Sequence, residues 1–237
     1  MTLPVGANAA ISFAQIQAEY GGTWSFKDYY RTGSYVDNTP SNYGVPTAGV
    51  MSFSQFNGGR NVVAGSFNRT SNGSGSVAVG EHNWLRVRVW GAGGGGAGYF
   101  NAGSAGSRSI VDGICVATGG KGGQAAPAGM APGGVGSSGN VANLNGADGT
   151  TAGGKGAQGG AGGAYGAVDG GNGSEEGGGG GGGGSRGGGG GGYSHWLGGV
   201  GGPVTLTWEC GNGGAGGEQS PYSGGNGADG RVLIEWG

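Results

Sequence analysis

Leu85-Arg86-Val87-Arg88-Val89-Trp90 runs directly into Gly91-Ala92-Gly93-Gly94-Gly95-Gly96-Ala97-Gly98. The first six residues alternate apolar and polar, the period of a half-buried strand, and the eight that follow have almost no side chain to bury. The junction recurs along the chain. Residues 114–118 enter the glycine-rich stretch 119–123, residues 204–210 enter 211–217, and 224–230 lead into 231–236. At least four strands are therefore predicted, each attached to a glycine tract.

Glycine is the compositional anomaly, at 71 of 237 residues against an average usage of roughly 7%. Each glycine ordered on folding loses more backbone freedom than any other residue, so an ordered structure must offset that loss. Collagen is excluded, because only 7 residues are Pro and the glycines keep no unbroken triplet repeat. Disorder is argued against by 6 Trp, 9 Tyr and 6 Phe with only 10% charged residues. Within the tracts a spacing of three recurs, at Gly133, Gly136 and Gly139, at Gly153, Gly156, Gly159 and Gly162, and at Gly224, Gly227 and Gly230. Three residues per turn is polyproline-II geometry, whose outward backbone groups need partners that neighbouring chains can supply only where glycine allows close approach. The expected fold is mostly β and irregular, with short N-terminal helical turns and then a sandwich of polyglycine-II helices closed by a small β-sheet. The competing reading is a folded sheet with floppy glycine excursions.

The first sixty residues carry a different pattern. Ile11-Ser12-Phe13-Ala14-Gln15-Ile16, Trp24-Ser25-Phe26-Lys27-Asp28-Tyr29 and Met51-Ser52-Phe53-Ser54-Gln55-Phe56 each place Ser three residues before Gln or Asp. That is capping-box spacing, and Ile11 with Ile16, Trp24 with Tyr29 and Met51 with Phe56 fit hydrophobic staples. Three short helical turns are predicted, in an arm with little core of its own, since turns this short need support from elsewhere. The division expected is 1–62 as an attachment module, 63–76 as a linker and 77–237 as the glycine-rich domain.

Enzymatic and metal chemistry find no support in the residues. Lys121 and Lys155 are each followed by Gly, which fails the phosphate-loop pattern. The stretch Gly224-Gly225-Asn226-Gly227-Ala228-Asp229 resembles a single calcium-binding nonapeptide but lacks tandem copies. His82 and His195 have no ligand cluster at metal spacing and are read as exposed loop residues, and Glu175-Glu176 as a solvated tip. No cofactor, metal or catalytic residue is assigned. A net charge of −2 and a single Arg-Gly-Gly element give no case for nucleic acid. No apolar run spans a bilayer and no secretory signal is visible, so synthesis in the host cytoplasm is expected. Cys115 and Cys210 are then read as buried hydrophobes rather than a disulfide.

Two parts of the chain resemble bacteriophage virion proteins. Residues 11–22, Phe26-Lys27-Asp28-Tyr29-Tyr30-Arg31 and the stretch 44–56 look like a module that recurs in phage tail and other virion proteins. Val89-Trp90-Gly91-Ala92-Gly93-Gly94-Gly95-Gly96 and residues 226–236 resemble the glycine-rich adhesins at the tips of T-even-like long tail fibres, which implies a polyglycine-II sandwich that grips outer-membrane proteins or sugars through loops. The N-terminal part departs from the fibre-docking part of those adhesins, so tail, baseplate and head remain open locations.

These resemblances imply a non-enzymatic virion protein that binds other virion proteins and a bacterial surface protein or polysaccharide, with a homo-oligomer in the particle as a further expectation. The alternative is a non-adhesive structural appendage. Candidate receptor-binding loop residues are Tyr99, Phe100, Tyr165, Tyr193, His195, Trp196 and Tyr222, because aromatics in loops are common anchors. Burial of these aromatics against the sheet is the competing reading. Candidate virion-attachment residues are Phe13, Ile16, Phe26, Tyr29, Phe53 and Phe56.

Overall fold

The computed structural model describes residues 3, 11–56, 58–59, 62–125, 129–158, 160–167, 169–174, 176–218 and 221–237. The chain enters as an arm of short helices, α1 (Phe13–Tyr20) and 3-10 turns at Phe26–Tyr29, Pro40–Asn42 and Phe53–Phe56. Strands follow: β1 (Gly65–Arg69), β2 (Gly73–Val79), β3 (Leu85–Trp90), β4 (Ser109–Val111), β5 (Cys115–Ala117), β6 (Gly136–Ser137), β7 (Ala142–Leu144), β8 (Tyr193–Gly198), β9 (Val204–Cys210) and β10 (Arg231–Trp236).

The strands form two five-stranded antiparallel sheets, ordered β1-β10-β3-β8-β7 and β2-β9-β4-β5-β6. Alternation along β3 turns Leu85, Val87 and Val89 inward, where they meet Val232 and Ile234 of β10 and Val111, Cys115, Ala117, Leu206 and Cys210 of the other sheet. The four predicted strands are present, but the small closing sheet is replaced by this two-sheet sandwich.

The expected linker at 63–76 is corrected too, since β1 pairs β10 and β2 pairs β9 at the sheet edges. Two of its three glycines face indoles: Gly65 lies opposite Trp236 and Gly75 opposite Trp208, while Gly73 lies opposite Cys210. A Cβ at Gly65 would enter the Trp236 ring, and one at Gly75 would stand 3.1 Å from the Trp208 ring. Glycine within a strand marks such a close approach, which in sequence looks the same as a flexible connection.

Strands β3 to β10 adjoin glycine tracts on one side of the sandwich. Bonding within the tracts repeats every third residue. From 91 to 98, the N–H groups of Gly91, Gly94 and Ala97 donate to Gly192, Gly189 and Arg186; those of Ala92, Gly95 and Gly98 to Ser107, Ser104 and Asn101; and those of Gly93 and Gly96 to Ala228 and Gly225. The carbonyls of Ala92 and Gly95, of Gly93 and Gly96, and of Gly94 and Ala97 accept from three more segments, at 120–123, 214–217 and 180–183. One tract is thus surrounded by six neighbours.

Tracts 177–183 and 186–192 are surrounded in the same way, and these three bond to one another. They are also the three runs with glycine at nearly every position. An inner tract has a neighbour on all three of its sides, so each residue in the repeat faces backbone; a Cβ on Gly94 would collide with the Lys121 carbonyl and one on Gly180 with that of Gly225. Ala92 and Ala97 are the exceptions, both fully buried. The outer tract 101–107 needs glycine only at Gly103 and Gly106, and its intervening Ala102, Ser104 and Ala105 are exposed. The triplet spacing of Gly224, Gly227 and Gly230 is matched by donation to Gly217, Gly214 and Gly211, and Gly153 and Gly156 donate to Gly163 and Gly160. Gly159 lies outside the described residues. Gly136 instead belongs to β6, so the spacing at Gly133, Gly136 and Gly139 runs into a strand.

Where an outer tract lacks a neighbour, Asn and Asp side chains supply the acceptor. Asp169 and Asn172 accept from the Ser223 and Asn226 N–H groups at 3.2 and 2.8 Å, and Asn226 and Asp229 from Gly216 and Gly213, both at 2.8 Å. The calcium-like stretch is therefore part of a side-chain ladder that satisfies backbone donors.

The arm has its own core, contrary to expectation: Leu3, Ile16, Tyr20, Tyr29, Val36, Val45 and Phe56 are buried together. Its three repeats pack on one another through Phe13, whose ring lies 5.6 Å from Trp24, 5.8 Å from Phe26, 5.6 Å from Tyr29 and 6.3 Å from Phe53. The first repeat forms a full capping box between Ser12 and Gln15. In the third, the Ser52 N–H donates to Gln55 Oε1 at 2.6 Å, while Ser25 makes no side-chain cap. Trp24 is 72% exposed and lies over Phe13, so it does not close a staple on Tyr29.

Polar contacts dock the arm on the sandwich end remote from the tracts. Asp37 accepts from Asn83 Nδ2 at 3.1 Å and from the Val62 N–H at 3.0 Å, and Ser41 bonds the Glu81 carboxylate. His82, expected to be exposed, is buried between Gly80, whose carbonyl meets its Nδ1 at 2.9 Å, and the bridge to Gly201.

Candidate functional site

The tracts reverse at their far ends, and four of the predicted aromatics gather at these turns. Tyr99 and Phe100 follow tract 91–98 and pack edge to face at 4.6 Å, with Tyr222 at 5.7 Å from Tyr99. Gly184, with φ of +70°, turns the chain beneath them; a Cβ there would stand 3.4 Å from Tyr222 and 3.7 Å from Tyr99. Tyr165 belongs to the same end, since the neighbouring Gly166 accepts from the Gly184 N–H at 3.0 Å. Exposure is 43% for Tyr99, 70% for Phe100, 49% for Tyr165 and 37% for Tyr222. Rings left this open above a hydrogen-bonded lattice can contact a partner with little ordering on binding.

Tyr193, His195 and Trp196 are elsewhere and are not loop residues. They lie on β8, which pairs with β3 in the register Trp90 to Tyr193, Arg88 to His195 and Val87 to Trp196. Tyr193 is buried against Trp90, with ring centroids 5.0 Å apart. Trp196 packs on the core between the sheets. His195 is half-buried beside Arg88, and its pKa is lowered by burial first and then by Arg88 and Arg86; Tyr193 is raised chiefly by burial. The physical reason is that Tyr193-Ser194-His195-Trp196 continues a tract into the sheet, as Arg231 to Trp236 does, whereas Tyr99 and Phe100 continue one into a turn.

Beside the exposed rings lies an open polar cleft of about 520 Å³, lined by Asp169, Asn172, Glu218, Ser223 and Asn226 with glycine backbone between them. None of these was assigned to a binding site from the sequence. The available signal is the spacing of three between Asp169 and Asn172, in register with Ser223 and Asn226 across the groove. Among the described residues no three His, Cys, Asp or Glu side chains gather in a way that would hold a metal ion. Glu176 is not a solvated tip: it pairs with Arg231 at the sheet end of its tract, and Glu175 lies outside the described residues.

No protein-family model, curated protein or solved structure matches this chain.

The arm offers a second surface. Ile16, Tyr29 and Phe56, three of the six predicted attachment residues, are fully buried in the arm core and cannot meet a partner. Phe13 and Phe26 are half-buried, and Phe53 is exposed. Trp24, read from the repeat as a staple residue rather than an attachment residue, and Val50, which lies just outside the third repeat, are among the most exposed apolar side chains, Val50 at 94%. The arm therefore presents Trp24 and Phe53, both packed on Phe13, with Phe26 beneath Phe53, and it also exposes Val50. Among the described residues no helix is long and apolar enough to cross a membrane.

Proposed function

We propose that this protein is a bacteriophage virion adhesin that contacts the host cell surface through its distal aromatic tip and neighbouring virion proteins through its arm. The observation that carries the reading is the placement of two exposed aromatic surfaces at opposite ends of one covalent path: Trp24 and Phe53 on the arm, Tyr99, Phe100, Tyr165 and Tyr222 at the tip. Between them, in this proposal, the tracts are polyglycine-II helices, in keeping with bond directions that recur every third residue and with six neighbours around each inner tract. From Leu85 to the tip the path is six strand residues and eight tract residues, or about 45 Å at ~3.3 and ~3.1 Å per residue. A lattice in which backbone bonds to backbone on every side is stiff, which suits holding a few anchors ready at a distance from the particle.

The test is adsorption of assembled particles carrying Phe100→Ala and Tyr222→Ala. Adsorption weakened by ~1 kcal/mol or more per anchor, with unchanged melting temperature, supports the reading. Normal adsorption by particles lacking the whole glycine-rich domain favours a structural appendage instead.

A further inference from the structure

We infer that the cleft beside the tip takes a neutral glycan, with sugar rings stacked on the tip aromatics and hydroxyls bonded within the cleft. This rests on the adhesin reading and narrows its ligand to one chemical class.

Among the described residues the cleft lining contains Asp169 and Glu218 and no Lys, Arg or His. A phosphate or acidic sugar would meet two carboxylates with no cation beside them, and like charges at close range are repelled. An apolar peptide side chain would meet no apolar side chain among the described residues lining it. What the cleft offers is a mixture of donors and acceptors. Asn172 and Asn226 each commit Oδ1 to a backbone N–H at 2.8 Å, which fixes the amide and leaves Nδ2 as a donor. Asp169 commits Oδ1 to the Ser223 N–H at 3.2 Å and keeps Oδ2 as an acceptor.

Sugar hydroxyls both donate and accept, so they match such a set, and the bonds that orient these groups are those that hold the outer tracts together. Tyr222 directly precedes Ser223 of the cleft, and its ring packs with Tyr99. Tyr222 is thus next in the chain to the groove, and in this inference the Tyr222 and Tyr99 rings take the C–H face of a pyranose while the groove takes its hydroxyls.

The experiment measures binding of the full-length protein to a panel of bacterial strains, after periodate oxidation of vicinal diols or after proteinase treatment of the cells. It is paired with an array of neutral and acidic bacterial oligosaccharides. Expected are binding lost to periodate and retained after proteinase, neutral array members preferred, and a loss of about tenfold with Glu218→Ala or Tyr222→Ala at unchanged melting temperature. Glu218 suits this because the bond it makes to Asn101 uses its backbone carbonyl. Loss to proteinase alone would assign a protein ligand and overturn the glycan inference while leaving the adhesin reading intact. Preference for acidic oligosaccharides, or full binding by both variants, would overturn the cleft. Binding to no strain would overturn the adhesin reading and the inference with it.

Discussion

The Gly180 N–H donates to the Gly94 carbonyl at 2.8 Å, joining two inner tracts whose Cα atoms both face neighbouring backbone. Neither residue has room for a methyl group. Gly180→Ala is therefore expected to destabilise the domain by ~3 kcal/mol, at the upper end of overpacking costs, because the obstruction is backbone and cannot rotate away. Ala105→Val on the exposed side of an outer tract should change stability by less than ~0.5 kcal/mol. Denaturant melts of the two variants separate a packed lattice from loose excursions, which would tolerate both.

Gly65 opposite Trp236 supplies a test of the sheet edge. Gly65→Val should cost ~1–3 kcal/mol by driving a side chain into the indole. Trp236→Leu alone should also destabilise, yet the double variant should recover part of the Gly65→Val loss. A double-mutant cycle on melting curves reads the coupling directly, and purely additive losses would show that the indole can move aside.

In the arm, burial and exposure predict opposite phenotypes. Phe56→Ala, at a fully buried ring, should destabilise the arm by ~3–5 kcal/mol. Trp24→Ala and Phe53→Ala should leave stability within ~1 kcal/mol while lowering incorporation into particles, if the open face is the docking surface. Amide exchange over residues 11–56 reports the first effect, and the protein content of purified particles reports the second.

Burial pushes the Cys115 and Cys210 thiols up to about 11 from an ordinary value near 9. The unfolded chain releases these protons first as pH rises, so stability present below pH ~9 should decline as pH climbs toward ~11. In the folded protein at pH 8 both thiols should resist alkylation that proceeds readily in denaturant. Mass spectrometry of alkylated samples checks this, and rapid labelling under native conditions would mean that the sandwich opens.

Much of the fold is legible in local sequence because strands and tracts each obey a short period. Leu85 to Trp90 alternates since one face of β3 meets the core, and the glycine spacing of three follows from a backbone whose contacts recur every third residue. Even the depth of a tract is written in its composition. The inner tract 177–183 is all glycine, whereas the outer tract 101–107 keeps glycine only at Gly103 and Gly106. The repeated Ser-Phe pattern likewise marks three of the four helical elements described in the arm, two of them through a contact between residues three apart, while the 3-10 turn at Pro40–Asn42 lies outside it.

What tertiary structure decided was the fate of side chains whose local setting was the same. Tyr99 and Tyr193 both follow glycine runs, yet one tract ends in an open turn and the other enters a paired strand, and only the partners of that strand separate exposure from burial. Gly65 and Gly75 read as linker because an indole on another strand is the reason for each. The arm core and the cleft at Asp169 and Glu218 arise from segments brought together by long-range packing, and no local period records which distant surfaces will meet.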